Sequence, residues 1–283
     1  MNSDMSCFFN LGRLCLRNFS RRAALGALIG LAVLYPAIAI GETPGRNIIR
    51  SGSEIEYPPF CIVDANGKPD GYSIELFNAA LSAMGRKATY KTGEWSEVKN
   101  LLETGELDAL PLVGRTPERE AVFDFTIPYM TLRGAIVVRE NEDAIRTLDD
   151  LRGKQVAVMK GDNMEEFLRR EDRGLIIETT PTFDVALREL SEGQHDAVVV
   201  QRLVALRLIH LKSIPNLKIL QEPIKGFTQD FCFAVKEGDK ETLALLNEGL
   251  ALIIADGTQR RLHSKWFADR KSTRLNSSHE SPS

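Results

Sequence analysis

The sequence predicts an α/β protein of two related lobes, each a parallel-type sheet flanked by helices, with two strands joining them as a hinge. Three observations carry that expectation. Apolar runs of strand length alternate with amphipathic stretches of helical period over residues 47–112 and again over 155–200. Six residues of the first pass, Trp95, Val98, Leu102, Gly105, Asp108 and Ala109, recur in the second at the same offsets as Phe183, Ala186, Leu190, Gly193, Asp196 and Ala197, which implies two copies of one unit. Met130 to Arg139 leads out of the first unit and Gly226 to Val235 leads back, so the second unit reads as an insertion.

In the first unit, strand, helix, strand, helix and strand fall at 47–54, 73–84, 87–91, 96–103 and 107–112. Ile74, Phe77, Leu81 and Met84 share a helix face, which is ordinary core spacing. Trp95, Val98, Leu101 and Leu102 do the same in the next helix, and Gly105 stops it. Beyond the last strand, Thr116 suits an N-cap, Pro117 the first helical position and Glu118 the positive end of the dipole. A helix opening at Thr116 is therefore expected, with Arg119 in its first turn. Free N–H groups there favour an anion, and a guanidinium adds a planar fork that grips a carboxylate through two hydrogen bonds, as lysine cannot. The plainer reading makes Arg119 a surface side chain paired with Glu118 or Glu120.

The second unit repeats the pattern at 155–160, 163–172, 175–180, 183–192 and 195–200, and Asp239 to Phe267 supplies two closing helices. Ligand loops in such sheets lie beyond the carboxyl ends of the strands, and Arg119 follows one of those ends. Met159-Lys160-Gly161-Asp162-Asn163 ends another and opens a helix with free N–H groups, although Asp162 or Asn163 also suits a plain N-cap.

Composition bounds the function. A chain of 283 residues, 43% hydrophobic and 27% charged, with a net charge of -3, suits a soluble protein of about two domains. It carries no basic stripe or basic-aromatic cluster, so no nucleic-acid partner is expected. Arg13, Arg17, Arg21 and Arg22 precede an uncharged run from Ala23 to Ile40, which reads as an export signal or an anchor. Ala37 and Ala39 behind Pro36 favour cleavage near Ala39. Ser20-Arg21-Arg22 faintly resembles a twin-arginine signal, and Cys15 stands in the wrong context for a lipid anchor. Enzyme signatures such as G-x-S-x-G, a P-loop, C-x-x-C and H-x-x-x-H are missing. No cofactor or metal site is expected. Residues 271–283, KSTRLNSSHESPS, look like adapter read-through and are excluded from fold reasoning.

An ordered set of motifs carries a family resemblance. It comprises Tyr57-Pro58-Pro59-Phe60, Gly71-Tyr72, Gly105-x-x-Asp108-Ala109, Thr116-Pro117-Glu118-Arg119, Phe123-Asp124-Phe125-Thr126-x-Pro128-Tyr129, Asp150-Leu151-x-Gly153-Lys154, and Asp256-Gly257 before a helix ending in Lys265-Trp266. From about Arg46 to Asp269 the chain resembles the family 3 extracytoplasmic solute-binding proteins, the amino-acid-binding type of periplasmic binding protein. Stretches such as Gln229 to Val235 also resemble the copies of this domain that act as sensors on membrane-bound histidine kinases and diguanylate cyclases. The resemblance implies a type II periplasmic-binding-protein-like fold. It further implies Arg119 as carboxylate anchor beside Gly114 and Thr116, Tyr57 and Trp95 as aromatics on either side of the ligand, Asn163 at the ligand's carboxylate, and Met159 on the pocket wall. Cys61 and Cys232 fall on strands that the family layout keeps apart, so two free, buried thiols are expected.

Gln201 departs from the pattern. Amino-acid binders of the family carry an aspartate there for the ligand's α-ammonium, and a buried ammonium needs a charge partner. Either Glu54 or Asp162 substitutes, or the ligand has no ammonium. The fold also resembles periplasmic cyclohexadienyl dehydratase, whose chemistry would need a general acid in the cleft; Glu54 and Asp162 are the candidates, and Gln201 cannot serve.

The expected organisation is a signal peptide or anchor over 1–40, one lobe from 45–132 plus 228–269, the other from 133–227, and a non-native or disordered tail over 270–283. The expected function is a periplasmic module, free or held to the inner membrane by an uncleaved leader, that closes on a small carboxylate or amino-acid-like ligand. Its partner is then the inner-membrane permease of an ABC-type importer, or the downstream signalling domains of its own chain if it is the sensor of a truncated receptor.

Overall fold

The computed structural model describes residues 47–267. The expected leader and the Ser-rich tail, with Cys7 and Cys15, lie outside the described residues. The chain opens with β1 (Ile48–Glu54), β2 (Glu56–Tyr57), β3 (Cys61–Val63) and β4 (Pro69–Asp70), then α1 (Tyr72–Ala83), β5 (Lys87–Gly93), α2 (Trp95–Thr104), β6 (Ala109–Gly114), β7 (Phe123–Phe125) and β8 (Met130–Arg139). A 3-10 turn at Leu148–Leu151 leads into β9 (Gln155–Met159), α3 (Asn163–Glu171), β10 (Ile176–Thr180), α4 (Phe183–Ser191), β11 (Ala197–Gln201), α5 (Arg202–Leu211) and β12 (Leu217–Ile219). β13 (Thr228–Lys236), α6 (Lys240–Ala255) and α7 (Thr258–Phe267) complete the fold. No described helix is long and apolar enough to cross a membrane.

Two lobes share this order. In the first, β1 lies parallel between β5 and β6, and β13 closes the sheet antiparallel to β6. In the second, β9 lies parallel between β10 and β11, and β8 closes it antiparallel to β11. β8 belongs to both. Its first residues, Met130 to Arg133, pair with Phe231 to Thr228 of β13, and from Gly134 onward it pairs with Gln201 to Val198 of β11. The strand thus changes sheets at Gly134, where a Cβ would run into Met164, Phe227 and Ile224. The β8–β13 pair is the two-strand hinge that the sequence predicts.

The match between the two units has a structural cause at its Asp and Gly positions. Asp108 donates its N–H to Arg50 O at 2.7 Å and accepts the Arg50 N–H on Oδ2 at 2.8 Å. Asp196 does the same with Gln155, at 2.9 Å each way. Each aspartate therefore ties the third strand of its lobe to the start of the first, satisfying a backbone N–H where pairing begins. Gly105 and Gly193, at φ +82 and +88, supply the left-handed residue that ends the preceding helix.

The inner strands β6, β9 and β11 are buried on both faces, as in parallel sheets covered by helices. In β9, Val156 and Val158 belong to an apolar cluster with Ile136, Phe167, Val199 and Phe227. The alternate residues Ala157 and Met159 face a larger cluster that also holds Phe183, Leu187 and Leu208 of the second lobe and runs through Tyr57, Phe60, Phe77 and Phe233 of the first. Cys61 and Cys232 are buried, free thiols, and burial pushes Cys232 up to about 12.

Three expectations need correction. No helix opens at Thr116: residues 117–122 are turns, with Arg119 N–H and Glu120 N–H both donated to Thr116 O. The cap forms but the helix cannot extend, because Phe123–Phe125 must straighten to pair with Lys236 to Ala234 of β13. The third strands start two residues later than expected, since Leu107 N–H still bonds back to Leu101 O at the helix exit. The sequence pattern also missed α5, β12 and the small β2–β3–β4 sheet.

Candidate functional site

The strand ends converge on one cleft between the lobes. Glu54 ends β1, Gly114 ends β6, Met159 ends β9 and Gln201 ends β11, while Trp95 opens α2 and Asn163 opens α3 behind its cap, Asp162. All are buried, together with Tyr57, Thr116 and Arg119. Every residue expected at the site therefore lies in the interior.

Arg119 is buried, 2% exposed. Its guanidinium has five N–H groups. Nε donates to Glu166 Oε1 at 2.9 Å, Nη1 to Gly114 O at 3.1 Å and Nη2 to Gly161 O at 2.9 Å. One N–H remains on each Nη. The face of the cation lies 4.9 Å from the centre of the Trp95 ring, which stabilises the charge in a site with little water. Trp95 Nε1 donates to the same Gly161 carbonyl at 2.6 Å. Gly161, at φ +73, makes the turn that aims this carbonyl, and its N–H is held by Glu165 Oε2 at 2.6 Å.

The plainer reading of Arg119 fails on this geometry. Glu118 pairs with Arg170 at 2.7 Å and Glu120 with Arg115 at 2.5 Å. The actual partner, Glu166, went unnoticed in the sequence. It comes from α3 in the other lobe and uses its second oxygen to accept Thr116 Oγ1 at 2.7 Å.

Gln201 Nε2 donates to Asn163 Oδ1 at 3.0 Å, while Gln201 Oε1 and the Tyr57 hydroxyl are buried without a hydrogen-bond partner. Such atoms are rare and call for an explanation. The Tyr57 ring packs against Phe60 and Phe183, at 6.3 and 6.1 Å between centroids, whereas Trp95 faces Arg119. A Cβ at Gly114 would come within 2.5 Å of Asn163 Nδ2, so any larger residue there would displace the Asn163 side chain. A cavity of about 10 Å³ within the first lobe, beside Glu54, Cys61 and Trp95, holds at most one water-sized body. Among the described residues no cluster of His, Cys, Asp and Glu could hold a metal ion.

Burial governs the two carboxyls. It pushes Glu54 well above the usual carboxylate range, helped by the charge of Asp162 and opposed by Arg119. Asp162 rises to about 6, again through burial, against the pull of Arg119 and the Met164 N–H. An unfolded aspartate titrates near 4, so between about pH 4 and 6 the folded state holds more protons than the unfolded chain. Stability attributable to Asp162 is therefore largest below this window, falls as pH rises through it, and is level above it. Asn caps a helix as well as Asp does. Asp162→Asn should accordingly flatten this part of the profile and raise stability at neutral pH by on the order of 1–3 kcal/mol, read from urea unfolding on both sides of the window.

Residues 49–269 match the family described as bacterial extracellular solute-binding proteins, family 3. The L-cystine-binding protein TcyJ of Escherichia coli K12 is 32% identical over 262 residues, covering 89% of this chain and 97% of its own. A histidine kinase sensor domain with similarity to periplasmic binding proteins superposes with a TM-score of 0.74 at 34% identity, over 78% of this chain and 96% of its own. An ancestral arginine-binding protein bound to arginine gives 0.72 at 33%, over 78% and 99%. With the two-lobed fold, the hinge and the cleft at the strand ends, these likenesses show that the chain belongs to the bacterial extracellular solute-binding proteins of family 3.

Proposed function

We propose that the protein is the substrate-binding component of an ABC-type importer and closes on a small carboxylate or amino-acid-like ligand. In this reading it works in the periplasm, free or tethered by its N-terminal segment, and presents the closed form to an inner-membrane permease. The reading makes it a binder and not an enzyme, in keeping with its family and with relatives named as binding proteins. One observation carries the ligand class. The buried Arg119 guanidinium keeps one N–H on each Nη after its three protein bonds, a fork that matches a carboxylate. Thr116, Gly114 and Asn163 lie around that fork, Trp95 and Met159 supply apolar wall, and the Tyr57 hydroxyl and Gln201 Oε1 are polar atoms that a ligand would satisfy. The lobes, 45–132 plus 228–269 against 133–227, turn about the β8–β13 pair.

The likeness to a histidine kinase sensor domain supports a second reading, in which the same closure signals through a membrane to domains of a longer receptor. The two share every residue of the cleft. The uninterrupted reading frame beyond Asp269 separates them: a further apolar span favours the receptor, a stop codon the binding protein.

Two measurements test the ligand reading. Arg119→Lys keeps the charge but loses the fork, so isothermal titration with the best ligand should show roughly 2–3 kcal/mol weaker binding; wild-type affinity would remove Arg119 from the site. The ligand's amino group is tested at Gln201. A neutral amide returns less than the several kcal/mol that desolvating an ammonium requires, and burial disfavours the charged form of Glu54 that would have to stand in for the aspartate. In a thermal-shift panel pairing each amino acid with its deaminated analogue, the deaminated acids should raise Tm at least as much. If only amino acids stabilise the protein and Gln201→Asp leaves their ranking unchanged, the ammonium is held by other groups.

A further inference from the structure

We infer that Glu166 is a positioning residue for Arg119 and the protein's own closing contact, a carboxylate from one lobe that orients the anchor of the other. The inference rests on the reading of Arg119 as anchor only for its effect on affinity; the closing role stands on geometry alone.

Both oxygens of Glu166 are engaged by the opposite lobe, Oε1 by Arg119 Nε at 2.9 Å and Oε2 by the Thr116 hydroxyl at 2.7 Å. Lys99 Nζ, also from the opposite lobe, lies 3.7 Å from Oε1. One helical turn along α3, Arg170 meets Glu118 at 2.7 Å. The 116–119 turn and α3 thus meet as reciprocal charge pairs, acid to base and base to acid. Exposure decides which pair matters. Glu118 and Arg170 are 42% and 43% exposed, where an ion pair is worth little. Arg119 and Glu166 are 2% and 14% exposed, where removing one partner strands a buried charge.

The arrangement has two consequences. Glu166 takes the Nε edge of the guanidinium, so a ligand carboxylate is left the two Nη groups and must approach end-on. Glu166 can hold Arg119 only when the lobes are together, so it favours the closed form with or without ligand. A ligand that binds the closed form has its apparent affinity lowered by whatever fraction of the protein stands open.

The test compares wild type, Glu166→Gln and Glu166→Ala, each unfolded and refolded to strip carried-over ligand. Small-angle scattering without added ligand reads closure, and far-UV circular dichroism confirms that each variant is folded. The radius of gyration should rise from wild type to Glu166→Ala, with the isosteric Glu166→Gln between them because it keeps an acceptor for Arg119 Nε. Titration with the most stabilising acid of the panel above should show about tenfold weaker binding to Glu166→Ala. Equal radii in wild type and Glu166→Ala, whether both compact or both extended, overturn the closing role. If no acid of the panel binds wild type, the ligand reading fails by itself, and the scattering still decides the role of Glu166.

Discussion

A guanidinium buried between two lobes is the constraint on which the rest of this structure depends. Arg119 cannot shed its proton and cannot sit in the interior unpaired. Its neighbours are arranged to meet that demand: a carbonyl from its own lobe at Gly114, a carbonyl from the other at Gly161, the Trp95 ring beneath it, and the Glu166 carboxylate across the cleft. Two of these four partners belong to the second lobe, so the charge is fully compensated only when the cleft is shut. Satisfying one cation and closing the protein are the same event.

The fold makes that coupling local. Parallel strands in both lobes end at the cleft, and β8 runs through both sheets, so in the proposed closure a rotation about it would carry Gly161 and Glu166 toward Arg119. Burial disfavours the charged forms of both Glu54 and Asp162, and the Arg119 guanidinium opposes it at each. Gln201 and Asn163, linked by a neutral hydrogen bond, add polarity without charge.

What was legible in the sequence followed from local chemistry. Asp108 and Asp196 showed as a repeat because each does the same backbone work eighty-eight positions apart, and Gly105 and Gly193 because both must adopt a left-handed conformation. Arg119 was legible from its place after a strand end. The helix expected at Thr116 was not there, since local capping was right but the pairing of Phe123–Phe125 with β13 overrode propagation. Glu166 was invisible for a different reason. It lies 47 residues from Arg119, and within α3 nothing distinguishes it from Glu165, whose side chain stays at home on the Gly161 N–H and Arg169. An i,i+4 Glu–Arg pair on a helix ordinarily reads as a solvated face; here Glu166 and Arg170 both reach across to the other lobe.

The central claim is that Arg119 divides its donors, Nε to Glu166 and the two Nη groups to the ligand. A crystal structure of the protein with its most stabilising acid reads this directly. The account predicts the ligand carboxylate on Nη1 and Nη2, with Glu166 still on Nε and Thr116. A carboxylate that displaces Glu166 from Nε, or a ligand that leaves Arg119 untouched, would contradict it.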